Sequence, residues 1–288
     1  MPDKAISVRA LRKAYGDFAA LRGIDFDVRR GEVFGLLGPN GAGKTTTVEI
    51  LEGYRQRSEG DVSVLGFDPG ERSRELRARV GIVLQSTGLY RHIKVREAVE
   101  HFAAMYPHPR SVSEVIALTG LEGKEDALAR TLSGGQLRRL DLALALVGDP
   151  ELIFLDEPTT GFDPAARRNA WDAIRSLKEL GKTVLLTTHY LDEAQALADR
   201  VAIIKDGRII VEGAPRELGA GAGASPYRIA YRNGDGSIVQ RETDDPTSLL
   251  HELTGQALAR GERLDGLTVT RPTLEDVYLE LTAGDDVE

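Results

Sequence analysis

The chain has 288 residues, of which 41% are hydrophobic and 28% charged, a composition typical of a soluble globular protein with about two domains. Its formal net charge of −8 argues against nucleic acid as the main partner, and the absence of cysteine excludes disulfides, thiolate metal sites and a cysteine nucleophile. No run approaches the roughly 18 apolar residues of a membrane span, and the amino terminus lacks the apolar segment of a secretory signal. If the protein works at a membrane, we expect another polypeptide to supply the crossing.

The amino-terminal part predicts a small β layer followed by a buried strand. The first 30 residues and Asp61–Gly66 have the pattern of short strands with turns. Glu32–Leu37 is a short apolar run that ends at a glycine, which is typical of a buried strand. We therefore expect a β layer attached to a core sheet.

A phosphate-binding loop follows this strand. The sequence G-P-N-G-A-G-K-T matches G-x-x-x-x-G-K-[ST] between a predicted strand and a predicted helix, which is the context that the motif requires. Backbone N–H groups are expected to surround the phosphates, with Lys44 at the β/γ-phosphates and the Thr45 hydroxyl on Mg²⁺. An ordinary glycine-rich turn with a solvated lysine is the plain alternative. The residues predicted to contact the nucleotide here are Gly38, Pro39, Asn40, Gly41, Ala42, Gly43, Lys44, Thr45 and Thr46.

Two further residues near the amino-terminal half are candidates for the same site. Gln85 follows the apolar run V-G-I-V-L, and its neutral amide could contact Mg²⁺ and the attacking water. A solvated loop glutamine is the alternative. Tyr15 could stack its ring on adenine, although a single aromatic residue is more often part of a core.

Residues from about 88 to 148 are predicted to be mostly helical, and one helix in this region has an unusual start. Ser133 and Gln136 form a capping-box pattern, yet Gly134 and Gly135 occupy the first turn, where each costs roughly 1 kcal/mol relative to Ala. Bare N–H donors at a helix N-terminus beside a hydroxyl suit an anion. Since the chain already has one phosphate loop, we predict that these four residues bind the ATP of another copy, which implies a head-to-tail dimer.

Two later strands are predicted to end in catalytic side chains. Leu152–Leu155 leads into Asp156, which suits a water-mediated contact to Mg²⁺, and Glu157, which is placed to orient or deprotonate the attacking water. Thr183–Leu186 leads to His189, which could hydrogen-bond the γ-phosphate and fix that water. Acidic residues often end strands only to be solvated, and a lone histidine there is more often structural. The functional reading of each residue therefore depends on the others.

A helical pattern lies between these strands and fixes the expected fold class. It covers Arg168–Leu180, and one face of the predicted helix carries Trp171, Ile174, Leu177 and Leu180. Strands that alternate with helices of this length predict βαβ units and a mainly parallel sheet, which makes the fold class α/β.

The carboxyl-terminal part predicts a second, smaller domain. Gly213–Pro226 is rich in Gly, Ala and Pro, which places a first domain at 1–218, a linker at 219–226 and a second domain at 227–288. Tyr227–Arg232 and Ser237–Thr243 flank the hairpin signal N-G-D-G. A helix from Pro246, a strand near Leu267–Thr270 and a last helix from Thr273 complete an α+β unit. We expect the apolar stripe of that last helix to pack within the unit, with dimer or regulatory contacts as the alternative. The stripe contains Leu274, Val277, Tyr278 and Leu281.

The motifs together resemble the ATP-binding subunits of ABC transporters over nearly the whole chain. The matching elements, in chain order, are the aromatic A-loop (Tyr15), Walker A (Gly38–Thr45), the Q-loop (Gln85), the signature L-S-G-G-Q (Leu132–Gln136), Walker B (Leu152–Glu157), the D-loop (Gly161–Pro164) and the H-loop (His189). The ending P-T-L-E-D-V-Y-L-E-L-T is similar to that of the drug and antibiotic exporter branch, which includes daunorubicin-resistance-type ATPases. Three positions depart from the common pattern: Lys94, Leu137 and Phe162.

This resemblance implies a P-loop NTPase fold, the ABC cassette, with a mainly parallel core sheet, an amino-terminal β layer, a helical subdomain and a small carboxyl-terminal α+β domain. It implies ATP and Mg²⁺ as cofactors, with the metal held by Thr45, Gln85 and Asp156. It assigns catalysis to Lys44, Gln85, Glu157 and His189.

The resemblance also implies partners and a location. We expect a head-to-tail homodimer that lies on the inner face of the cell membrane, bound to a separate permease that exports a drug, antibiotic or other hydrophobic compound, and no nucleic-acid partner. The alternatives are a soluble ABC-type ATPase acting on nucleic acid or ribosomes, a P-loop kinase or nucleotide switch, and a non-catalytic regulatory subunit. Co-purification with a hydrophobic permease separates transport from all three.

Overall fold

The computed structural model describes residues 4–83, 91–218, 227–233, 236–270, 274–276 and 278. The chain forms two compact units, Met1–Glu212 and Gly213–Glu288. The second unit thus begins a few residues before position 218, where the sequence places the end of the first domain. The predicted linker, 219–226, lies outside the described residues.

The first unit alternates strands and helices along most of its length. Its described strands are β1 (Lys4–Tyr15), β2 (Phe18–Arg29), β3 (Val33–Leu37), β4 (Glu59–Val64), β5 (Val80–Val83), β6 (Leu152–Asp156), β7 (Thr183–Thr188), β8 (Arg200–Lys205) and β9 (Arg208–Gly213). Its described α-helices are α1 (Lys44–Leu51), α2 (Arg74–Ala78), α3 (Val95–Ala103), α4 (Val112–Leu118), α5 (Gly134–Leu146), α6 (Pro164–Glu179) and α7 (Leu191–Leu197).

A six-stranded sheet forms the centre of this unit, in the order β5-β6-β7-β3-β8-β9. The first five of these strands pair in parallel. Along β6, Leu152 and Phe154 pack into one hydrophobic cluster while Ile153 and Leu155 pack into another. Both faces of the sheet are therefore buried, as is usual for parallel sheets, and the predicted fold class is confirmed.

The amino-terminal β layer is a three-stranded antiparallel sheet in the order β2-β1-β4. The prediction of short strands holds for β4, which has 6 residues, but was wrong for β1 and β2, which have 12 residues each. The register of β1 shifts between Val8 and Leu11, where Ala10 adopts a φ of 47° and donates its N–H to Asp25 Oδ1 at 2.9 Å. This bulge interrupts the alternation of apolar residues that would have marked one continuous strand.

The other face of the central sheet is covered by helices. The predicted helical region contains α3, α4 and α5, and residues 84–90 lie outside the described residues. Helix α6 begins at Pro164, earlier than the predicted Arg168. Its start is fixed by Asp163, whose Oδ1 accepts the N–H groups of Ala165 and Ala166 at 2.8 and 2.9 Å, with proline at the first helical position.

The second unit contains α8 (Pro215–Leu218), β10 (Tyr227–Arg232), β11 (Ile238–Thr243), α9 (Pro246–Ala259) and β12 (Asp265–Thr270). Its strands form an antiparallel sheet in the order β11-β10-β12, and its small core contains Ile229, Tyr231 and Leu253. The predicted strands and the helix from Pro246 are confirmed. Of the predicted last helix, residues 274–276 and 278 are described as helical, and Leu274 of its stripe is buried, while the rest of this helix lies outside the described residues. Across the described parts of both units, no helix has the length and apolar character needed to span a membrane.

Candidate functional site

The phosphate-binding motif lies where the sequence places it, between the end of β3 and the start of α1. Gly43, the residue before the helix, has a φ of 108°, which favours glycine. A Cβ at this position would lie 2.7 Å from Leu21 Cδ2 and 2.9 Å from the backbone oxygen of Ala20. The loop therefore needs glycine here both for its conformation and for its close approach to β2.

Lys44 is the first residue of α1, and its side chain is 5% exposed. The ammonium donates hydrogen bonds to the backbone oxygens of Gly38 at 2.8 Å and Pro39 at 3.0 Å, and lies 3.5 Å from Glu157 Oε1. Burial lowers the pKa of Lys44, and the negative charges of Glu157 and Asp156 oppose that shift. The loop thus holds a cation within reach of the acidic end of β6.

Asp156 ends β6 beside Thr187 of β7. The fully buried hydroxyl of Thr187 donates to Asp156 Oδ1 at 2.5 Å and accepts the backbone N–H of Glu157 at 3.0 Å. Burial raises the pKa of Asp156, and although the Thr187 hydrogen bond opposes this shift, the adjacent charge of Glu157 adds to it. A carboxylate in this setting is stabilised by a nearby cation.

Glu157 adopts a φ of 45°, a left-handed conformation that is uncommon for a residue with a side chain and is often found at functional sites. Its carboxylate is 3.2 Å from His189 Nδ1 and accepts the Thr160 hydroxyl at 3.1 Å. Burial alone would raise the pKa of Glu157, but the hydrogen bond with His189, the charge of Lys44 and the Thr160 contact together lower it. The group is therefore ionised at neutral pH and able to accept a proton or a water hydrogen bond.

The glycine-rich start of α5 has the predicted geometry. Ser133 Oγ accepts the N–H of Gln136 at 3.2 Å, and Gln136 Oε1 accepts the N–H of Ser133 at 3.0 Å, so both capping-box bonds are present. Ser133 and Gly134 are exposed, and a Cβ at Gly134 would have no neighbour within 4 Å. This helix N-terminus therefore presents N–H groups to an open surface. The same residues line a cavity of about 510 Å³ together with Phe162 of the D-loop.

Two further predicted site residues are Tyr15 and Gln85. Tyr15 ends β1 with 40% of its surface exposed, so it is not a core residue. Lys13 Nζ and the Arg55 guanidinium carbon lie 5.0 and 5.1 Å from the centre of its ring. Gln85 lies outside the described residues.

The described residues offer few protein ligands for Mg²⁺ next to the phosphate-binding loop. Among the described residues no group of three His, Cys, Asp or Glu side chains could hold a metal ion. Thr45, which is exposed on the first turn of α1, and Asp156 offer a hydroxyl and a carboxylate. This donor set fits Mg²⁺, which is usually bound by one or two carboxylates together with substrate phosphates and water.

Sequence reasoning missed Thr160 and Thr187, which hold Glu157 and Asp156 in place. Both lie inside motifs that the sequence shows, D-E-P-T-T and T-T-H. For Thr187 the signal is the pairing of β6 with β7, which sets it opposite Asp156, and for Thr160 it is the short distance along the chain from Glu157.

Comparisons with known proteins agree with this geometry. The family model described as ABC transporter matches residues 21–160. The chain is 41% identical to Nod factor export ATP-binding protein I of Paraburkholderia xenovorans (strain LB400), with 98% of each chain covered. This chain belongs to the ABC transporter ATP-binding proteins. As such, it is an ATP-binding subunit of an ABC transporter, an ATPase coupled to transport.

Further relatives extend the comparison to drug resistance and to known structures. This ABC subunit is 37% identical to daunorubicin resistance ATP-binding protein DrrA3 of Streptomyces coeruleorubidus, with 99% of this chain and 98% of the relative covered. It is similar to cbiO1 of Clostridium perfringens, part of an ABC transporter complex, at 32% identity and a TM-score of 0.69, with 75% of this chain and 90% of that chain covered. It also resembles the dimeric post-hydrolysis structure of the cassette MJ0796 bound to ADP and Pi, at 25% identity and a TM-score of 0.64, with 73% and 98% covered. These relatives do not favour the soluble, non-transport alternative.

Proposed function

We propose that this ABC subunit hydrolyses Mg-ATP in head-to-tail pairs and thereby drives a separate membrane permease that exports a drug, antibiotic or other hydrophobic compound. The observation that carries the catalytic part is the convergence of three side chains from three elements. Glu157 Oε1 lies 3.5 Å from Lys44 Nζ and 3.2 Å from His189 Nδ1. A cation for phosphate, an ionised carboxylate for water and an imidazole thus meet at one point.

Each side chain has a distinct part in the proposed reaction. Lys44 binds the β/γ-phosphates, and its ammonium then contacts the nucleotide in place of Glu157. Glu157 then orients or deprotonates the attacking water, and His189 contacts the γ-phosphate. Thr45, Asp156 and Gln85 are the residues that would hold Mg²⁺, which neutralises charge on the phosphates when it is bound. Tyr15 is proposed to stack on adenine, since its ring is exposed beside two cations.

The proposed pairing places Ser133, Gly134, Gly135 and Gln136 of one copy against the ATP of the other. Support comes from the exposed, capped N-terminus of α5 and from the dimeric form of the related cassette MJ0796. The first unit is proposed to be the ATP-binding domain and the second an accessory domain. Export rather than import is supported by the names of the relatives, which are export and drug-resistance proteins. Contact with the permease would hold the subunit at the inner face of the cell membrane.

The decisive test is the Glu157→Gln variant. It keeps the shape and removes the charge, so we expect ATP turnover to fall by about 10²-fold or more while ATP remains bound. A long-lived ATP-bound dimer should then appear on size-exclusion chromatography. Glu151→Gln is the matched control, because Glu151 lies just before the opposite end of β6 and pairs with Arg30 and Arg79 instead.

Two outcomes count against the proposal. Full activity of Glu157→Gln would remove Glu157 from the catalytic role. An equal loss of turnover in Glu151→Gln would show that any change of charge next to β6 disturbs the enzyme. For the transport role, we expect the subunit to co-purify with a hydrophobic membrane protein, and purification only with ribosomes or nucleic acid would contradict it.

A further inference from the structure

Helix α7 carries a carboxyl group that has no part in the reaction as described so far. Glu193 is completely buried. Its Oε1 accepts hydrogen bonds from the Thr159 hydroxyl at 2.8 Å and from Trp171 Nε1 at 3.2 Å. Burial raises the pKa of Glu193, and hydrogen bonds from Thr188, Thr159 and Trp171 oppose the shift. Burying a carboxyl group is costly, so its place needs an explanation beyond packing.

The partners of Glu193 connect it to both sides of the candidate catalytic site. Thr159, also completely buried, lies two residues after Glu157 on the turn that leaves β6. Glu193 itself lies four residues after His189, at the start of the helix that follows the His189 turn. A single carboxylate oxygen therefore joins the turn that carries Glu157 to the turn that carries His189.

Trp171, the other donor to Glu193 Oε1, belongs to neither turn, because it lies in the middle of α6. An outer contact reinforces the same packing: Arg167 of α6 is 3.0 Å from Asp192 and its guanidinium lies 4.4 Å from the ring centre of Tyr190. The ring of Tyr190 in turn lies 4.0 Å from that of His189. Helix α6 thus anchors the start of α7 by two routes, whereas the Thr159 bond connects Glu193 to the Glu157 turn.

We propose that Glu193 is a positioning residue, whose hydrogen bond with Thr159 sets the distance between Glu157 and His189 for hydrolysis. This inference rests on the proposed function in that Glu157 and His189 act on ATP. Because the contact between their side chains is a single one of 3.2 Å, a small shift of either turn is enough to break it. Misplacement of a catalytic group by about 1 Å can cost on the order of 10²-fold in rate.

The test compares two variants that each remove one donor from the same oxygen atom. Thr159→Val removes the bond to the Glu157 turn, and Trp171→Phe removes the bond to α6. We expect Thr159→Val to lower kcat by about tenfold or more with the KM for ATP unchanged, since Lys44 and the phosphate loop are untouched. Trp171→Phe should lower kcat less than about threefold, because the Thr159 bond still joins the two turns. Thr159→Ser should restore kcat, because serine supplies the same hydroxyl.

A purely structural role for Glu193 predicts a different result. In that case Thr159→Val and Trp171→Phe would lower the melting temperature alike and leave kcat per folded molecule unchanged, which overturns the proposal. A rise in the KM for ATP that accounts for the whole loss would overturn it too. Failure of this inference can be distinguished from failure of the proposed function. An active Glu157→Gln variant would contradict the proposed function, whatever the activity of Thr159→Val.

Discussion

Glu52, the residue that follows helix α1, carries a carboxyl group that is largely withdrawn from water. Burial raises its pKa from 4.5 to about 8, and the negative charges of Asp156 and Glu49 add to the shift. Its Oε1 is buried without a hydrogen-bond partner among the described residues. The folded protein therefore keeps this carboxyl protonated at neutral pH, whereas the unfolded chain does not.

This difference makes stability depend on pH in a defined direction. Because the pKa of Glu52 is higher in the folded protein than in the unfolded chain, its contribution to stability is fully present below about pH 4.5. This contribution is lost as the pH rises to the folded-state pKa of about 8. By about 1.4 kcal/mol per pKa unit, the loss reaches a few kcal/mol at pH 8. We expect Glu52→Gln, which cannot ionise, to raise the melting temperature by roughly 3–8 °C at pH 8 and to change it little at pH 5.

Thermal melts followed by circular dichroism at the two pH values measure this effect. Glu59→Gln is the control, because Glu59 is an exposed carboxylate on β4, and its two melts should shift together. A shift of the same size at pH 5 and pH 8 in Glu52→Gln would show that packing rather than ionisation is responsible.

At the level of single residues, the sequence could identify the groups whose motifs carry their own context. Lys44 lies in a phosphate loop between a strand and a helix, and Glu157 directly follows an apolar strand, so local order was enough. Thr187 and Glu193 could not be found in this way. Their roles depend on which strand lies beside β6 and on which hydroxyl reaches α7, and both are contacts between residues about 30 positions apart.

Helix α5 illustrates how one element can combine a structural and a proposed binding role. Ser133 caps the helix through the N–H of Gln136, and it is also proposed to meet the phosphate of a neighbouring copy. Removing the cap costs about 1 kcal/mol, so loss of dimerisation in Ser133→Ala alone could reflect a frayed helix. The two roles have to be separated by the choice of substitution.

Ser133→Asp separates them, because aspartate is also a good N-cap and is favoured by the helix dipole, yet it repels phosphate. In a Glu157→Gln background with ATP, we expect Ser133→Asp to retain the parental melting temperature and to remain monomeric on size-exclusion chromatography. Ser133→Ala should melt a few degrees lower and dimerise weakly. If Ser133→Asp forms the ATP-dependent dimer as readily as its parent, the anion-binding role of this N-terminus is wrong.

The accuracy of prediction for whole elements depended on how local their signals were. The start of α5 was predictable because a capping box is contained in four consecutive residues. The length of β1 was not, because the bulge at Ala10 depends on pairing with β2 and on the hydrogen bond that the Ala10 N–H donates to Asp25. For the same reason the start of α6 was placed late, since the apolar stripe begins after its cap at Asp163.

For the whole molecule, the division into two units follows from where side chains pack. The two large hydrophobic clusters of the first unit contain no described residue beyond Ile209, whereas the small core of the second contains Ile229, Tyr231 and Leu253. Composition pointed to the glycine-rich stretch as the boundary, because local flexibility is all that composition reports. The contacts divide the chain between Glu212 and Gly213, at the start of that stretch, and composition does not encode those contacts.

The separate cores lead to a prediction about the isolated first unit. A chain that ends at Gly213 retains β9 and every predicted nucleotide-binding residue, and it loses no member of the two large clusters. We expect it to fold and to bind ATP within about twofold of the full chain, because binding depends on contacts within the first unit. Circular dichroism and a fluorescent-nucleotide titration measure the two properties, with Lys44→Ala in the full chain as the control for lost binding. Aggregation, or a loss of affinity as large as that of Lys44→Ala, would show that the ATP site requires the second unit, and an accessory role for that unit would then be wrong.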